Sequence, residues 1–174
     1  MAAPQQGPSK DFAVGYRDMV LQSLENEMQT TKKVIAAVRD DKRDFRLDPK
    51  SRTAWELAWH IATVDVQFLN EIAEGKFSME PRFKEEPENT AEMAEWYEKN
   101  FKAGLEKVRA MTPEQLVTVL SFYDAFHLPA FAYLSFCEKH SIHHRGQLAA
   151  YLRPMGSKVP SIYGGSADEE WKAA

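Results

Sequence analysis

The sequence predicts an all-α fold: a four-helix bundle with a long crossover before its last helix. Four long segments carry apolar residues at steps of three and four, and turn signals separate them. The length, 174 residues, suits one domain. Steps of three and four fall on one face of a helix that turns once in about 3.6 residues, and four such faces close around a common core.

Residues 1–9 hold two prolines and a glycine and read as a loose leader. From Asp11 a stripe runs through Tyr16, Val20, Leu24, Met28, Thr31, Val34, Ile35 and Val38, and the charged run Arg39–Asp44 closes it. Thr53, with Glu56 three residues on, has the spacing of a capping box, and Ser51 is the competing cap. Leu57, Ile61, Val64, Phe68 and Ile72 form the second stripe, which Gly75 stops. Residues 76–89 read as a loop. Asn89 or Thr90 opens a third helix with Ala94, Tyr97, Phe101, Leu105 and Val108 inward. Thr112-Pro113-Glu114 reads as a short helical turn, since proline suits the first helical position. Leu116–Tyr123, rich in β-branched and aromatic residues, reads as an extended crossover. The fourth helix is expected from about Leu128-Pro129 to Arg153, with Pro154 and Gly156 as its stop. Residues 157–174 read as a tail. The whole chain, 1–174, is expected to be a single helical domain.

Composition bounds the function. Lysine and arginine number 22 against 26 acidic residues, a net charge of −4, so no general basic field draws the chain to nucleic acid. No apolar run approaches the roughly 20 residues that span a bilayer, and the N-terminus lacks a secretory layout. Cys137 is the only cysteine, which permits no internal disulfide and suits a reducing compartment. A cytoplasmic protein with no membrane or nucleic-acid partner is the expectation.

The histidines point to chemistry. In the fourth helix the stripe visits Ala130, Tyr133, Cys137, His140, His144, Leu148 and Tyr151, so two imidazoles one turn apart replace apolar residues on the inward face. His60 holds a similar position on the second helix, between Leu57 and Val64. Burying three unpartnered imidazoles costs about 1–3 kcal/mol each. A divalent metal ion removes that cost by taking their lone pairs. Three nitrogen donors with a position left open is the pattern of catalytic zinc sites. Imidazole accommodates several metals; zinc or nickel is the expectation.

Other constellations are excluded on spacing. Ferritin-like bundles need Glu-x-x-His pairs on two helices and zincins need His-Glu-x-x-His, and neither pattern occurs. Cys137 reads as a small core residue. His143 lies about 100° around the helix from His144, which suits a role behind the ligands. Gln147, three residues after His144, is placed to hydrogen-bond a ligand's outer nitrogen. Glu56, one turn before His60, is a candidate proton acceptor, with the helix cap as its competing role. Arg145 and Arg153 read as surface or helix-end charges. Gly146 costs the helix about 1 kcal/mol relative to alanine and is expected to admit a close neighbour. The aromatics Trp55, Trp59, Trp96, Tyr97, Phe101, Phe122 and Phe126 read as core first and pocket lining second.

Trp59-His60-Ile61, His140-x3-His144-Arg145-Gly146-Gln147-Leu148, Tyr151–Gly156 and Val159-Pro160-x-x-Tyr163-Gly164 together resemble the DinB/YfiT-like superfamily, from about Phe12 to Tyr163. The resemblance implies a four-helix bundle with a long crossover and a divalent metal held by His60, His140 and His144. Members include transferases and isomerases dependent on low-molecular-weight thiols such as bacillithiol or mycothiol, and several are homodimers. It therefore implies a metal-dependent transferase acting on such a thiol and a small electrophile. A metal-dependent hydrolase and a non-catalytic metal-binding or stress-response bundle are the alternatives. The family pattern also has the Pro160–Gly165 loop and Tyr163 fold back over the bundle mouth.

Overall fold

The computed structural model describes residues 7–170. Four long helices, a short one and a two-stranded hairpin make up the fold. Residues 1–6 of the expected leader and 171–174 of the tail lie outside the described residues.

Helix α1 spans Lys10–Ala36, with the Ser9 hydroxyl accepting from Phe12 N–H at its start. α2 spans Ala54–Glu74. Its cap is Thr53, not Ser51: Thr53 Oγ1 accepts from Glu56 N–H, and Glu56 Oε2 accepts from Thr53 N–H at 2.7 Å. Gly75 ends α2 at φ 74°, in the left-handed region where glycine has no Cβ clash. α3 spans Thr90–Arg109 behind an Asn89 cap, and α4 is the short turn Pro113–Val117 behind Thr112.

In the bundle α1 lies beside α3 and α5, and α2 lies beside the same two. α1 and α2 are therefore diagonal, and α5 (Leu134–Leu152) fills the groove between them. This places one side of α5 against α2 and another against α1, an arrangement that decides the fate of its polar residues. Buried Tyr97, Phe101, Leu69, Leu24, Met28 and Ile61 are among the core residues.

The crossover differs from expectation. Of the run Leu116–Tyr123 expected to be extended, Leu116 and Val117 belong to α4, and residues 119–122 are extended but form β1 of an antiparallel hairpin with β2, Phe126–Pro129. Leu128 and Pro129, expected to open the last helix, are thus strand residues. A 3-10 turn, Ala130–Tyr133, follows, and α5 starts only at Leu134. Tyr133 explains the delay: its hydroxyl accepts from Leu128 N–H and lies 2.9 Å from the Leu120 carbonyl, so it ties both strands to the helix start. Tyr123 and Asp124 turn the hairpin at φ 52° and 58°. Left-handed backbone is costly for non-glycine residues, and one local and one long-range hydrogen bond offset it here. Asp124 N–H donates to Ser121 Oγ, and Tyr123 OH donates to the Ser78 carbonyl.

The close approach expected at Gly146 falls at a different glycine. Nothing lies within 4 Å of a Cβ built on Gly146, so no neighbour requires it. At Gly104 a Cβ would stand 2.8 Å from Leu69 Cβ. The close approach is between α3 and α2.

Candidate metal centre

α2 and α5 pack side by side, and this brings His60 against His140 and His144. The Nε2 atoms of His60 and His140 are 3.2 Å apart, and those of His60 and His144 are 3.4 Å apart. The ligand atoms of all three residues lie within 4.8 Å of one another. No other group of three histidine, cysteine or acidic side chains converges so among the described residues.

The tautomers follow from the partners. His140 Nδ1 is 2.7 Å from Asp65 Oδ1. A carboxylate oxygen accepts, so Nδ1 carries the hydrogen and Nε2 turns a lone pair to the centre. His144 Nδ1 donates to Gln147 Oε1 at 2.8 Å, which fixes its Nε2 in the same way. Two lone pairs therefore face inward, and only His60 can bring a hydrogen between them. One N–H cannot serve both acceptors well, whereas a cation serves all three nitrogens. Nitrogens held 2.0–2.1 Å from a tetrahedral ion stand about 3.3–3.4 Å apart, close to the two spacings measured from His60. The donor set fits a divalent metal ion.

Electrostatics act in the same sense. Burial, then the Arg52 guanidinium and the other two imidazoles, push His60 down to about 3, so it stays neutral and able to ligate at ordinary pH. His144 is also lowered, chiefly by burial, with Gln147 opposing. The Cys137 thiol is fully buried one turn before His140, and burial raises it well above its ordinary value. It is a protonated core group and not a thiolate ligand.

Asp65 is the residue that periodicity alone overlooks. It is fully buried on α2, with Oδ1 on His140 and Oδ2 accepting from Tyr97 OH at 3.2 Å. Its signal is a lone acid inside the apolar run Ile61–Leu69, since a carboxylate is kept there only with partners. Gln147 stands where expected on His144, and its amide nitrogen donates to His143 Nε2 at 3.1 Å. His143 is exposed and meets the centre through that amide and by packing its ring edge-on against His144 at 4.8 Å. Glu56 is exposed, and its carboxylate is engaged by the Thr53 cap. That placement leaves its expected role as proton acceptor without geometric support.

Arg145 overturns its surface assignment. It is 1% exposed, ion-paired to Glu27 of α1 and bonded to Tyr163 OH at 2.5 Å. The Pro160–Gly165 loop does fold back, but onto α1 and α5, where Tyr163 OH also meets the Glu27 carboxylate at 2.9 Å. Arg153 is the surface charge expected, paired with Asp168.

A cavity of about 290 Å³ opens beside His60. Its aromatic walls are Phe68, Phe83 and Tyr123, none of them in the set read from the sequence as candidate lining. Phe122 stacks behind Phe68 at 5.7 Å, and Trp59 packs on Trp96 in the core. On the far side of His144, Lys50, Arg52 and Gln147 border a second, more open groove. No helix of the described residues is long and apolar enough to cross a membrane.

Comparison with known proteins gives a consistent picture. The DinB family model matches residues 12–173. The Bacillus subtilis (strain 168) protein YrdA is 24% identical over 154 residues, covering 88% of this chain and 91% of YrdA. A DinB-like protein of Bacillus cereus ATCC 10987, solved at 2.01 Å, superposes with a TM-score of 0.70 at 28% identity, covering 83% of this chain and 95% of that one. The DinB-like YjoA of Bacillus subtilis, solved at 2.30 Å, also gives 0.70, at 24% identity over 83% of this chain and 97% of its own. At that identity the likeness to YjoA is one of fold.

Proposed function

This chain belongs to the DinB family, and from that premise we propose that it is a divalent-metal-dependent transferase joining a low-molecular-weight thiol to a small electrophile. The observation that supports it is the inward convergence of three imidazole nitrogens, two of them with tautomers fixed from outside. Zinc or nickel is the proposed ion. When bound, such an ion supplies Lewis acidity that lowers the pKa of a thiol or water in its open position.

The chain's own residues do the rest. His60, His140 and His144 would hold the ion through their ring nitrogens. Asp65 orients His140 and is itself held by Tyr97, while Gln147 orients His144. Such partners behind a ligand fix ring orientation and raise its basicity. Phe68, 6.0 Å from the His140 ring, keeps the cavity side of the centre apolar and short of water. The cavity beside His60 admits the electrophile.

Metal content measured by mass spectrometry tests this reading, with wild type beside His60→Ala and His144→Ala. Near-stoichiometric divalent metal in wild type, lost in both variants, is expected. A low-molecular-weight thiol should then shift the visible spectrum of the cobalt-substituted protein. Wild type that takes up neither zinc nor nickel would refute the centre. A metal-loaded protein that cleaves activated esters without thiol and ignores thiol would replace transfer with hydrolysis.

A further inference from the structure

The cavity beside His60 is built on one stripe of α2. His60, Val64, Gln67 and Glu71 follow at steps of four, three and four, and so share a helix face. At 1.5 Å per residue, His60 and Glu71 are about 16 Å apart along the helix axis. The loop carrying Ser78, Met79 and Phe83 forms the opposite wall, and Tyr123 at the hairpin tip fastens that loop through the Ser78 carbonyl.

Glu71 is the unexplained member of this wall. It is only 2% exposed, and Oε1 accepts from Gln67 Nε2 at 2.9 Å and from Ser78 N–H at 3.0 Å. Among the described residues nothing donates to Oε2, and Oε2 is not one of the side-chain atoms sealed from solvent without a partner. That oxygen therefore opens on the cavity. Burial raises the carboxyl above its ordinary value, outweighing the opposing hydrogen bonds from Gln67 and Ser78 and the nearby Arg82. Arg82 also borders the cavity, but its guanidinium is engaged by both oxygens of Glu74, so that pair adds no net charge. Val64, Phe68, Met79, Pro81 and Phe83 make the remaining lining mostly apolar, and the Thr63 hydroxyl beside them is spent on the Trp59 carbonyl at 2.8 Å. An apolar chamber with one buried, half-used acceptor at its end has the form of a ligand site, where few polar groups set orientation.

We propose that this chamber binds a small organic cation, a primary ammonium on an apolar or aromatic body, with the ammonium on Glu71 Oε2 and the far end of the body towards His60. Charge-assisted hydrogen bonds are about twice as strong as neutral ones, so an ammonium is preferred over an alcohol of the same shape. An anion is disfavoured by the same carboxylate. Binding of the cation stands on Glu71 alone; its role as the electrophilic substrate rests on the metal-centre reading above.

The test is titration of the protein as purified with benzylamine and with benzyl alcohol near neutral pH. Tryptophan fluorescence reports it, because Trp96 packs edge-on against the cavity residue Phe83 at 4.8 Å. Benzylamine is expected to bind at least tenfold tighter than the alcohol. Glu71→Gln, which retains an acceptor for Gln67 and Ser78, should abolish the preference at unchanged metal content. Val64→Phe, which fills the chamber, should weaken both probes about tenfold or more. Equal affinities in wild type would overturn the proposal whether or not either variant folds. So would a preference that survives Glu71→Gln. The titration is repeated after metal removal by chelator: the preference should persist, and its disappearance would assign the amine to the histidines and overturn the Glu71 site. A protein that takes up neither zinc nor nickel and still prefers the amine would refute the metal centre and leave this site standing.

Discussion

Asp65→Asn isolates the contribution of a group that never touches the proposed ion. The carboxylate accepts from His140 Nδ1–H at 2.7 Å and from Tyr97 OH at 3.2 Å, in a position with no solvent exposure. Asparagine keeps the size and one acceptor oxygen but loses the charge that strengthens the imidazole as a donor. Removing such a partner behind a metal-bound histidine weakens affinity roughly 10- to 100-fold. At tenfold per 1.4 kcal/mol this is about 1.4–2.8 kcal/mol. An ion that binds only the folded state stabilises it by mass action, so at fixed, saturating metal the variant loses about that much stabilisation. For a chain of this size 1 kcal/mol moves Tm by about 2–4 °C, giving a deficit of about 3–11 °C beyond any change in the metal-free protein. Competition against a chromophoric zinc chelator measures the affinity, and melting curves with and without zinc measure the deficit. An affinity within twofold of wild type, with the same zinc-dependent rise in Tm, would refute the role assigned to Asp65.

Three further outcomes are expected. Gly146→Ala, at an open helical position, should stabilise by about 0.5–1 kcal/mol, whereas Gly104→Ala, which drives a Cβ against Leu69, should cost about 1–3 kcal/mol; urea denaturation distinguishes them. Glu27→Ala strands Arg145 in the interior and should cost about 3–5 kcal/mol, more than Arg145→Met, and equal or reversed losses in chemical denaturation would contradict the buried ion pair. The third outcome concerns pH in the metal-free protein. His60 titrates near 3 when folded and near its ordinary 6.5 when unfolded, so below 6.5 the unfolded chain takes up the proton first. The His60 contribution is complete above about 6.5 and is lost progressively as pH falls towards 3. His60→Gln should flatten the stability profile across that window, and a profile parallel to wild type would show that His60 is not held neutral.

Much of this was legible along the chain. The stripes of α1, α2 and α3 and the caps at Thr53, Asn89 and Thr112 each depend on residues within one or two turns. So does the placing of His140 and His144 on one inward face. Spacing of three and four fixes a helix face without reference to any other helix. The hairpin was half visible: the β-branched and aromatic run Leu116–Tyr123 marked one strand, but a strand is defined by its partner. That partner, Phe126–Pro129, owes its state to hydrogen bonds from Tyr133 and to a turn at Tyr123 and Asp124 that carries no glycine.

The sequence by itself determined that this is a helical bundle with three inward histidines, because helix periodicity and capping are local properties of the chain. Only the tertiary structure decided which polar residues answer one another. Asp65 meets His140 because α2 and α5 are neighbours, and Arg145 is buried on Glu27 because the adjacent side of α5 faces α1. Gly104, not Gly146, marks a close helix contact for the same reason. The cavity at His60 exists because the loop that follows α2 folds back and a hairpin tip distant in sequence closes with it over one stripe of α2. A helix face can be read from spacing, but what it faces depends on the order and rotation of helices in the bundle, which the core as a whole sets.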